Sequence, residues 1–175
     1  MQKDVLITDR LILRKFTMDD AEEMFSNWAN DPEVCKYMTW TPHQSIDTVK
    51  MILDDWIVDY DDEKTVRYGI TLKETGELFG SIDVVGMNDG VPEIGYCSSK
   101  RFWGHGYMTE ACKALTDYLF ELGYNEIVIE ADERNIGSLR VIEKVGFTYT
   151  HSETKQCSKI KPEIITVKWF KLTKY

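Results

Sequence analysis

The stretch Arg101–Ala111, RFWGHGYMTEA, places one cation, two aromatic rings and two glycines ahead of a run that turns amphipathic. From Met108 the apolar residues Ala111, Leu115, Tyr118, Leu119 and Leu122 recur on one helical face. Glu110, Lys113, Asp117 and Glu121 occupy the other, so the spacing predicts a helix reaching about Leu122. The first N–H groups of such a helix have no internal partner and carry the positive end of its dipole. Gly104 and Gly106 remove side chains from the approach and permit positive φ, and Arg101 adds a cation. The turn is therefore suited to cradle an anion of the pyrophosphate kind. No Lys-Ser/Thr pair follows the glycines, and Thr109 stands where a G-x-G-x-x-G motif needs its third glycine. Both common nucleotide-phosphate loops are thereby excluded. By itself, a two-glycine turn between a strand and a helix reads equally well as an ordinary connection.

Upstream, EIGYCSS (93–99) is a strand that delivers the chain to this turn. VRYGITLK (66–73) and ELFGSIDVV (77–85) alternate with period two around ETG, and MNDGVP (87–92) turns the chain into EIGYCSS, giving three antiparallel strands. RLILRKF (10–16) reads as a further strand. Thr17 and Asp20 have capping-box spacing before a helix whose stripe is Ala21, Met24, Phe25 and Trp28, ended by Asn30, Asp31 and Pro32. After the aromatic loop YMTWTPHQS (37–45), Ser45 caps a second helix with Ile46, Val49, Leu53, Trp56, Ile57 and Tyr60 on one face. Asp59, Asp61, Asp62 and Glu63 crowd its C-terminus, where the dipole favours cations, so this end is either a solvated fray or a cation-attracting rim. Downstream come a strand EIVIEA (126–131), a short helix SLRVIEKV (138–145) closed by Gly146, and a terminal strand in ITVKWFKL (165–172).

At 175 residues, 43% apolar and 12% aromatic, the chain suits one domain, 1–175, with a substantial core. No run approaches the roughly 18 apolar residues of a membrane span, and MQKDVLITDR lacks an apolar leader core. A cytoplasmic protein with no membrane partner is expected. The net charge of −9 disfavours direct nucleic-acid binding and suits a cationic substrate, although acidity also serves solubility alone. Cys35, Cys97, Cys112 and Cys157 lack C-x-x-C pairing, and His43, His105 and His151 lack ligand spacing, so reduced thiols and no metal are expected.

RFWGHG resembles the R/Q-x-x-G-x-G/A coenzyme A motif of the GNAT acetyltransferase superfamily. ADERNIGSLRVIEKVGF (131–147) is similar to the N-x-x-S-x-R-V-x-E-K-x-G-F run of its ribosomal-protein N-terminal acetyltransferase branch. RLILRKFTMDDAEEMFSNWANDPEVCKYM (10–38) and TPHQS (41–45) resemble that branch's opening, so the likeness covers nearly the whole chain in the expected order.

The resemblance implies a mixed α+β fold: a strongly twisted mixed sheet of about seven strands, splayed between the fourth and fifth, flanked by about four helices, with acetyl-CoA in the split. It implies that backbone groups of Tyr96 and Cys97 pair with pantetheine. The N–H groups of Phe102, Trp103, Gly104, His105, Gly106, Tyr107 and Met108 would hold the pyrophosphate, with Arg101 nearby. Asn135 would contact the cofactor and Ser138 would lie near its sulfur. In plain terms Asn135 caps the short helix and Ser138 is its N3 residue, and both roles are compatible. Many superfamily members carry a Tyr just before E-K-x-G-F as the acid; here Ile142 stands there, which makes Ser138 the better candidate.

The chemistry constrains the rest. Only a neutral amine attacks a thioester, so an enzyme must position it, accept its proton, stabilise the oxyanion and protonate the departing thiolate. Glu93, at the start of the fourth strand, is the candidate base acting through water, against the plain reading of a solvated strand-edge carboxylate. Tyr37, Trp40 and His43 are candidates for the acceptor pocket, because loops collect binding residues; Trp28 falls on a helix stripe and reads as core. The expected activity is acetyl transfer to a primary amine, the α-amine of a protein or peptide, by a monomer or homodimer. The rivals are a small-amine acetyltransferase and a non-catalytic acyl-CoA-binding module.

Overall fold

The structure is a computed structural model in which residues 3–175 are described; Met1 and Gln2, part of the stretch read above for a leader, lie outside them. Eight strands form one sheet: β1 (Val5–Ile7), β2 (Leu11–Arg14), β3 (Arg67–Leu72), β4 (Leu78–Asn88), β5 (Val91–Ser98), β6 (Glu126–Asp132), β7 (Thr148–Gln156) and β8 (Ile164–Thr173). Their order is β1-β2-β3-β4-β5-β6-β8-β7. The count exceeds the expected seven because one strand is too short to show a period and another carries almost no hydrophobic signal. β1 has three residues. β7, TYTHSETKQ, is nearly all exposed and exists through its ladder with β8, which runs from Thr148 opposite Lys171 to Gln156 opposite Ile164. A polar edge strand of this kind also discourages pairing with other chains.

Among the described residues the α-helices are five: α1 (Ala21–Met24), α2 (Pro32–Cys35), α3 (Ile46–Asp59), α4 (Tyr107–Glu121) and α5 (Ile136–Val145). The segment read as one helix after Thr17 is composite. A 3-10 turn, Met18–Asp20, leads into α1, and a wide turn, Phe25–Ala29, closes it through the Asn30 N–H donating to the Phe25 carbonyl at 3.3 Å. Asp20 accepts from the Thr17 N–H at 2.8 Å, completing the predicted capping box, and Arg14 holds the same carboxylate through both Nη1 and Nη2. Ser45 caps α3 by accepting from the Thr48 N–H at 3.4 Å.

Two cores flank the sheet. Under α4 and α5 lie Tyr68, Ile70, Ile82, Ile94, Leu115, Leu119 and Ile142; under α1 and α3 lie Phe16, Met24, Trp28, Val49, Leu53 and Leu78. Strand alternation divides β5 between them. Ile94 and Tyr96 pack toward α4 and α5, whereas Cys97 packs toward α1 and α3, the face that Glu93 shares by parity. Two positions on α4 depart from the sequence expectation. Leu122 is 46% exposed because the helix has ended, and Glu110 is withdrawn from solvent by Thr8 and Arg10 in the β1–β2 connection.

The position of the site follows from one irregularity. β5 and β6 are parallel neighbours joined in register only at Glu93 opposite Val128, while every other pair of strands is antiparallel. Beyond that pair the two strands diverge toward their C-terminal ends. This splay is the one expected between the fourth and fifth strands; β1 shifts the numbering by one.

Candidate active site

The turn before α4 has the geometry its glycines promised. Gly104 and Gly106 both take φ +78°, and Gly106 is the residue at which α4 begins. The N–H groups of Gly104, His105, Gly106, Tyr107 and Met108 find no intramolecular acceptor among the described residues. A Cβ on Gly104 would have nothing within 4 Å, so the bare backbone faces open space. The aromatic residues before it are anchored rather than free. Phe102 stacks on Phe79 with centroids 4.3 Å apart, and Trp103 Nε1 donates to the Ser98 carbonyl at 3.0 Å. His105 lies 5.6 Å from the Tyr107 ring.

The cation of this turn is not the one expected. Arg101 donates to Glu77 at 2.5 Å and to Asn27 at 3.4 Å, which commits its guanidinium to the β3–β4 turn and α1 side of the molecule. Arg10 organises the cradle instead. Its Nε donates to Glu110 at 2.7 Å, its Nη1 to the His105 carbonyl at 2.9 Å, and its guanidinium lies 4.5 Å over the Tyr107 ring. Glu110 also accepts from Thr8 and from the Arg10 N–H. Its desolvation acts to raise its pKa, but these donors outweigh it and hold the carboxyl below its ordinary range.

Where β5 and β6 part, a cavity of about 450 Å³ opens, lined by residues from α1, the 37–43 loop, α3, β4, β5, β6, α5 and β7. Residues from both faces of the sheet meet there. On the α5 wall, Asn135 Oδ1 accepts from the Ser138 N–H at 3.3 Å, the cap read from sequence, and the Ser138 hydroxyl lies 2.9 Å from the Tyr96 phenol. Burial is the main force raising the Tyr96 pKa, so this phenol stays protonated at neutral pH. Cys97 lies within 3.5 Å of the Ser81 hydroxyl, and burial pushes its thiol up to about 12. A thiol so far from ionising is no nucleophile at neutral pH.

On the opposite face the cavity wall carries charge. Glu93 accepts from Asn88 Nδ2 at 2.9 Å; burial, reinforced by Glu130, raises its pKa against the pull of Asn88 and Lys155. Asp83 on β4 stands opposite Gly95 in the β4–β5 ladder, and burial pushes it up to about 6 although Arg67 draws it down. Arg67 contacts Asp83 at 3.4 Å and Asp59 at 3.1 Å while lying 4.7 Å over the Trp56 ring. Asp59 is therefore neither frayed nor a free rim charge: it pairs with the cation that also serves Asp83. Glu130 is matched by Lys155 at 2.6 Å, and Asp132 by Arg134 at 2.7 Å.

Tyr37, Trp40 and His43 all line this cavity, and Trp28, although 1% exposed, reaches it as well. Trp40 and His43 stack with centroids 5.2 Å apart, and burial lowers the His43 pKa, which keeps the ring neutral at pH 7. The loop that carries Tyr37 and Trp40 is held from the β7–β8 connection. Lys161 Nζ donates to the carbonyls of Cys35, Lys36 and Met38 at 3.0, 3.1 and 2.8 Å, and Ser158 Oγ donates to the Thr39 carbonyl at 2.7 Å.

With this geometry in place, comparison with known proteins is decisive. Residues 10–148 match the acetyltransferase (GNAT) domain. The chain belongs to the GNAT acetyltransferase family. The uncharacterized N-acetyltransferase p20 of Bacillus licheniformis is 33% identical over 178 residues, covering 98% of this chain and 97% of that protein. Among solved structures, the Microcin C7 self immunity acetyltransferase MccE, in complex with acetyl-CoA and AMP, has a TM-score of 0.84 at 19% identity, covering 95% of this chain and 94% of that one. The ribosomal-protein-S5-alanine acetyltransferase of Vibrio fischeri has a TM-score of 0.80 at 14% identity, covering 98% and 97%. At these identities the two structures share the fold. As a GNAT acetyltransferase the protein uses acetyl-CoA, and the open, bare-backbone cradle before α4 fits the anionic end of that molecule.

For a GNAT acetyltransferase, the sequence located most of the wall. Tyr37, Trp40, His43, Glu93, Tyr96, Cys97, Asn135 and Ser138 converge on one cavity, and the 102–108 turn forms the separate cradle at the α4 N-terminus. It missed the Asp83 carboxylate, the Tyr96 phenol, the Arg10 clamp and the Lys161 strap. Asp83 had a usable signal, a charge within the otherwise apolar run ELFGSIDVV; the other three depend on contacts far apart in sequence.

Proposed function

We propose that the protein transfers the acetyl group of acetyl-CoA to a primary amine, the N-terminal α-amine of a protein or peptide, with residues 1–175 acting as one catalytic domain. The observation that carries this reading is the placement of a carboxylate and a hydroxyl pair on opposite faces of the β5–β6 splay. Glu93 lies on the α3 face, and Ser138 with Tyr96 on the α5 face, around one cavity. Acetyl-CoA supplies the acyl thioester. The N–H groups of Phe102 through Met108, foremost the five unpaired ones from Gly104, bind its phosphates, and the exposed edge of β5 at Tyr96 and Cys97 aligns its pantetheine arm. Arg101, committed to Glu77, contributes positive potential from nearby rather than direct contact.

Glu93 accepts the proton of the incoming ammonium, directly or through one water, and its raised pKa brings it closer to that task than an ordinary carboxylate. The Ser138 hydroxyl, hydrogen-bonded to the Tyr96 phenol, hands a proton to the leaving sulfur. Tyr37, Trp40 and His43 form the acceptor wall. An α-amine, with a pKa of about 8, reaches its neutral form far more readily than a lysine side chain near 10.4, and this favours N-termini at so modest a base. The likeness to the Vibrio fischeri enzyme, named for the alanine of ribosomal protein S5, points the same way. The test is mass spectrometry of the protein with acetyl-CoA and a panel of N-terminal peptides, blocked internal-Lys peptides, polyamines, amino acids and aminoglycosides. Acetylation confined to peptide α-amines is expected; acetylation of a small amine alone overturns the acceptor, and silence across the panel overturns the activity.

A further inference from the structure

The cavity holds four carboxylates, and their partners are unequal. Glu130 is matched by Lys155 and Asp132 by Arg134. Glu93 accepts a hydrogen bond from the neutral Asn88 amide and feels Lys155 only at a distance, while Asp83 shares Arg67 with Asp59, so that array of two carboxylates and one guanidinium keeps a surplus negative charge. The Arg67 contact uses Oδ2 of Asp83 at 3.4 Å; Oδ1 accepts no hydrogen bond from the described residues. Its cross-strand partner on β5 is Gly95, whose missing side chain leaves room that the Val85 side chain fills, and Asp83 and Val85 line the cavity together. The surrounding wall is aromatic, with Trp28, Tyr37, Trp40 and Trp56, and the neighbouring imidazole of His43 is neutral at pH 7.

In the proposed reaction the nitrogen that attacks must shed its charge, and Glu93 accounts for that. The surplus at Asp83 then has no complement in a substrate with a single amine. Asp83 and Glu93 line the same cavity from adjacent strands, separated in the β4–β5 ladder by the bulge at Val85. We infer that Asp83 anchors a second positive charge on the acceptor, so that the preferred substrate is an amine carrying another cationic group a few bonds from the reacting nitrogen. The inference rests on the acceptor-site reading above and narrows its substrate class. A short diamine and a peptide N-terminus followed by lysine present the same chemistry.

Calorimetry on the full chain with free coenzyme A, which cannot react, compares putrescine with n-butylamine and Ser-Lys-Ala with Ser-Gln-Ala. The dicationic member of one pair is expected to bind at least about tenfold tighter, and the pair that shows it identifies the source. Asp83→Asn should erase that preference. Asp59→Asn, at a half-exposed position, leaves Arg67 wholly to Asp83 and should reduce the preference about threefold without removing a cavity carboxylate. Equal binding of monocations and dications, or a preference surviving in both variants, overturns the inference. Turnover measured in parallel with the same amines separates the two claims: acetylation without dication preference leaves the transferase standing and removes Asp83 as anchor. Dication preference without acetylation supports the anchor and removes the proposed chemistry.

Discussion

The phenol oxygen of Tyr96, on β5, lies 2.9 Å from the hydroxyl of Ser138, on the first turn of α5. Ser138 owes its position to the Asn135 cap, and Tyr96 reaches it from the same strand that bears Glu93, one face away. This pair places a protonated phenol beside the Ser138 hydroxyl, one helical turn before Ile142. Tyr96→Phe should lower kcat by about 10²-fold with acetyl-CoA affinity unchanged, as loss of a proton donor does. Undiminished kcat in steady-state assays would remove Tyr96 from the proton path.

Glu93→Gln should reduce kcat/KM by about 10²-fold at neutral pH and abolish the acid limb of the pH profile. A base works only when deprotonated, so activity falls as pH drops through the Glu93 pKa, which burial has raised. Lys155 opposes that rise, and Lys155→Met should therefore move the acid limb to higher pH. A limb that stays in place in pH–rate measurements shows that another group controls it.

Gly104 separates bulk from charge in the cradle. At φ +78° any Cβ costs about 1–2 kcal/mol of backbone strain, but it meets no atom, so Gly104→Ala should fold and bind acetyl-CoA with little loss. Gly104→Glu adds a carboxylate beside the bare N–H groups and should weaken binding by more than about tenfold. Calorimetry checks both; equal affinity of the two variants would place the phosphates elsewhere.

Glu110 ties the cradle to the β1–β2 connection through Thr8 and Arg10 and should register in stability. Its carboxyl is held below the usual range in the folded chain, so its contribution is complete above the ordinary value of 4.5 and disappears as pH falls through the lower folded value. Glu110→Gln should cost about 1–3 kcal/mol at neutral pH, with the deficit closing as the pH falls below the ordinary carboxylate range. Urea unfolding across that range reads the difference directly.

Lys161 donates to three carbonyls of the segment leading to Trp40. Lys161→Met should raise the acceptor KM several-fold through a loosened wall, with acetyl-CoA affinity intact because the cradle lies on another element. A matching loss of acetyl-CoA affinity would mean that the substitution disturbs the fold rather than the loop.

How much of this was legible follows the range of the forces involved. Helix α4 and its bare N-terminus were readable because a 3.6-residue stripe and two glycines act within a few residues, and the same holds for the caps at Thr17, Ser45 and Asn135. The alternating strands β3 to β5 and β6 announced themselves through burial on their faces. β7 did not, because its stability comes from hydrogen bonds to β8 and its side chains face water. The acidic end of α3 was ambiguous for a related reason: a charge's meaning lies in its partner, and Asp59 finds Arg67 on a strand beyond the helix.

The sequence by itself determined the family, the order of elements and the bare two-glycine turn before α4, all of which rest on local patterns. Only the tertiary structure decided which charges remain unmatched. The single register pair between Glu93 and Val128 opens the sheet, and the opening leaves Glu93 and Asp83 facing one cavity while Glu130 and Asp132 are neutralised. Such a balance depends on distances between strands, which no spacing along the chain encodes.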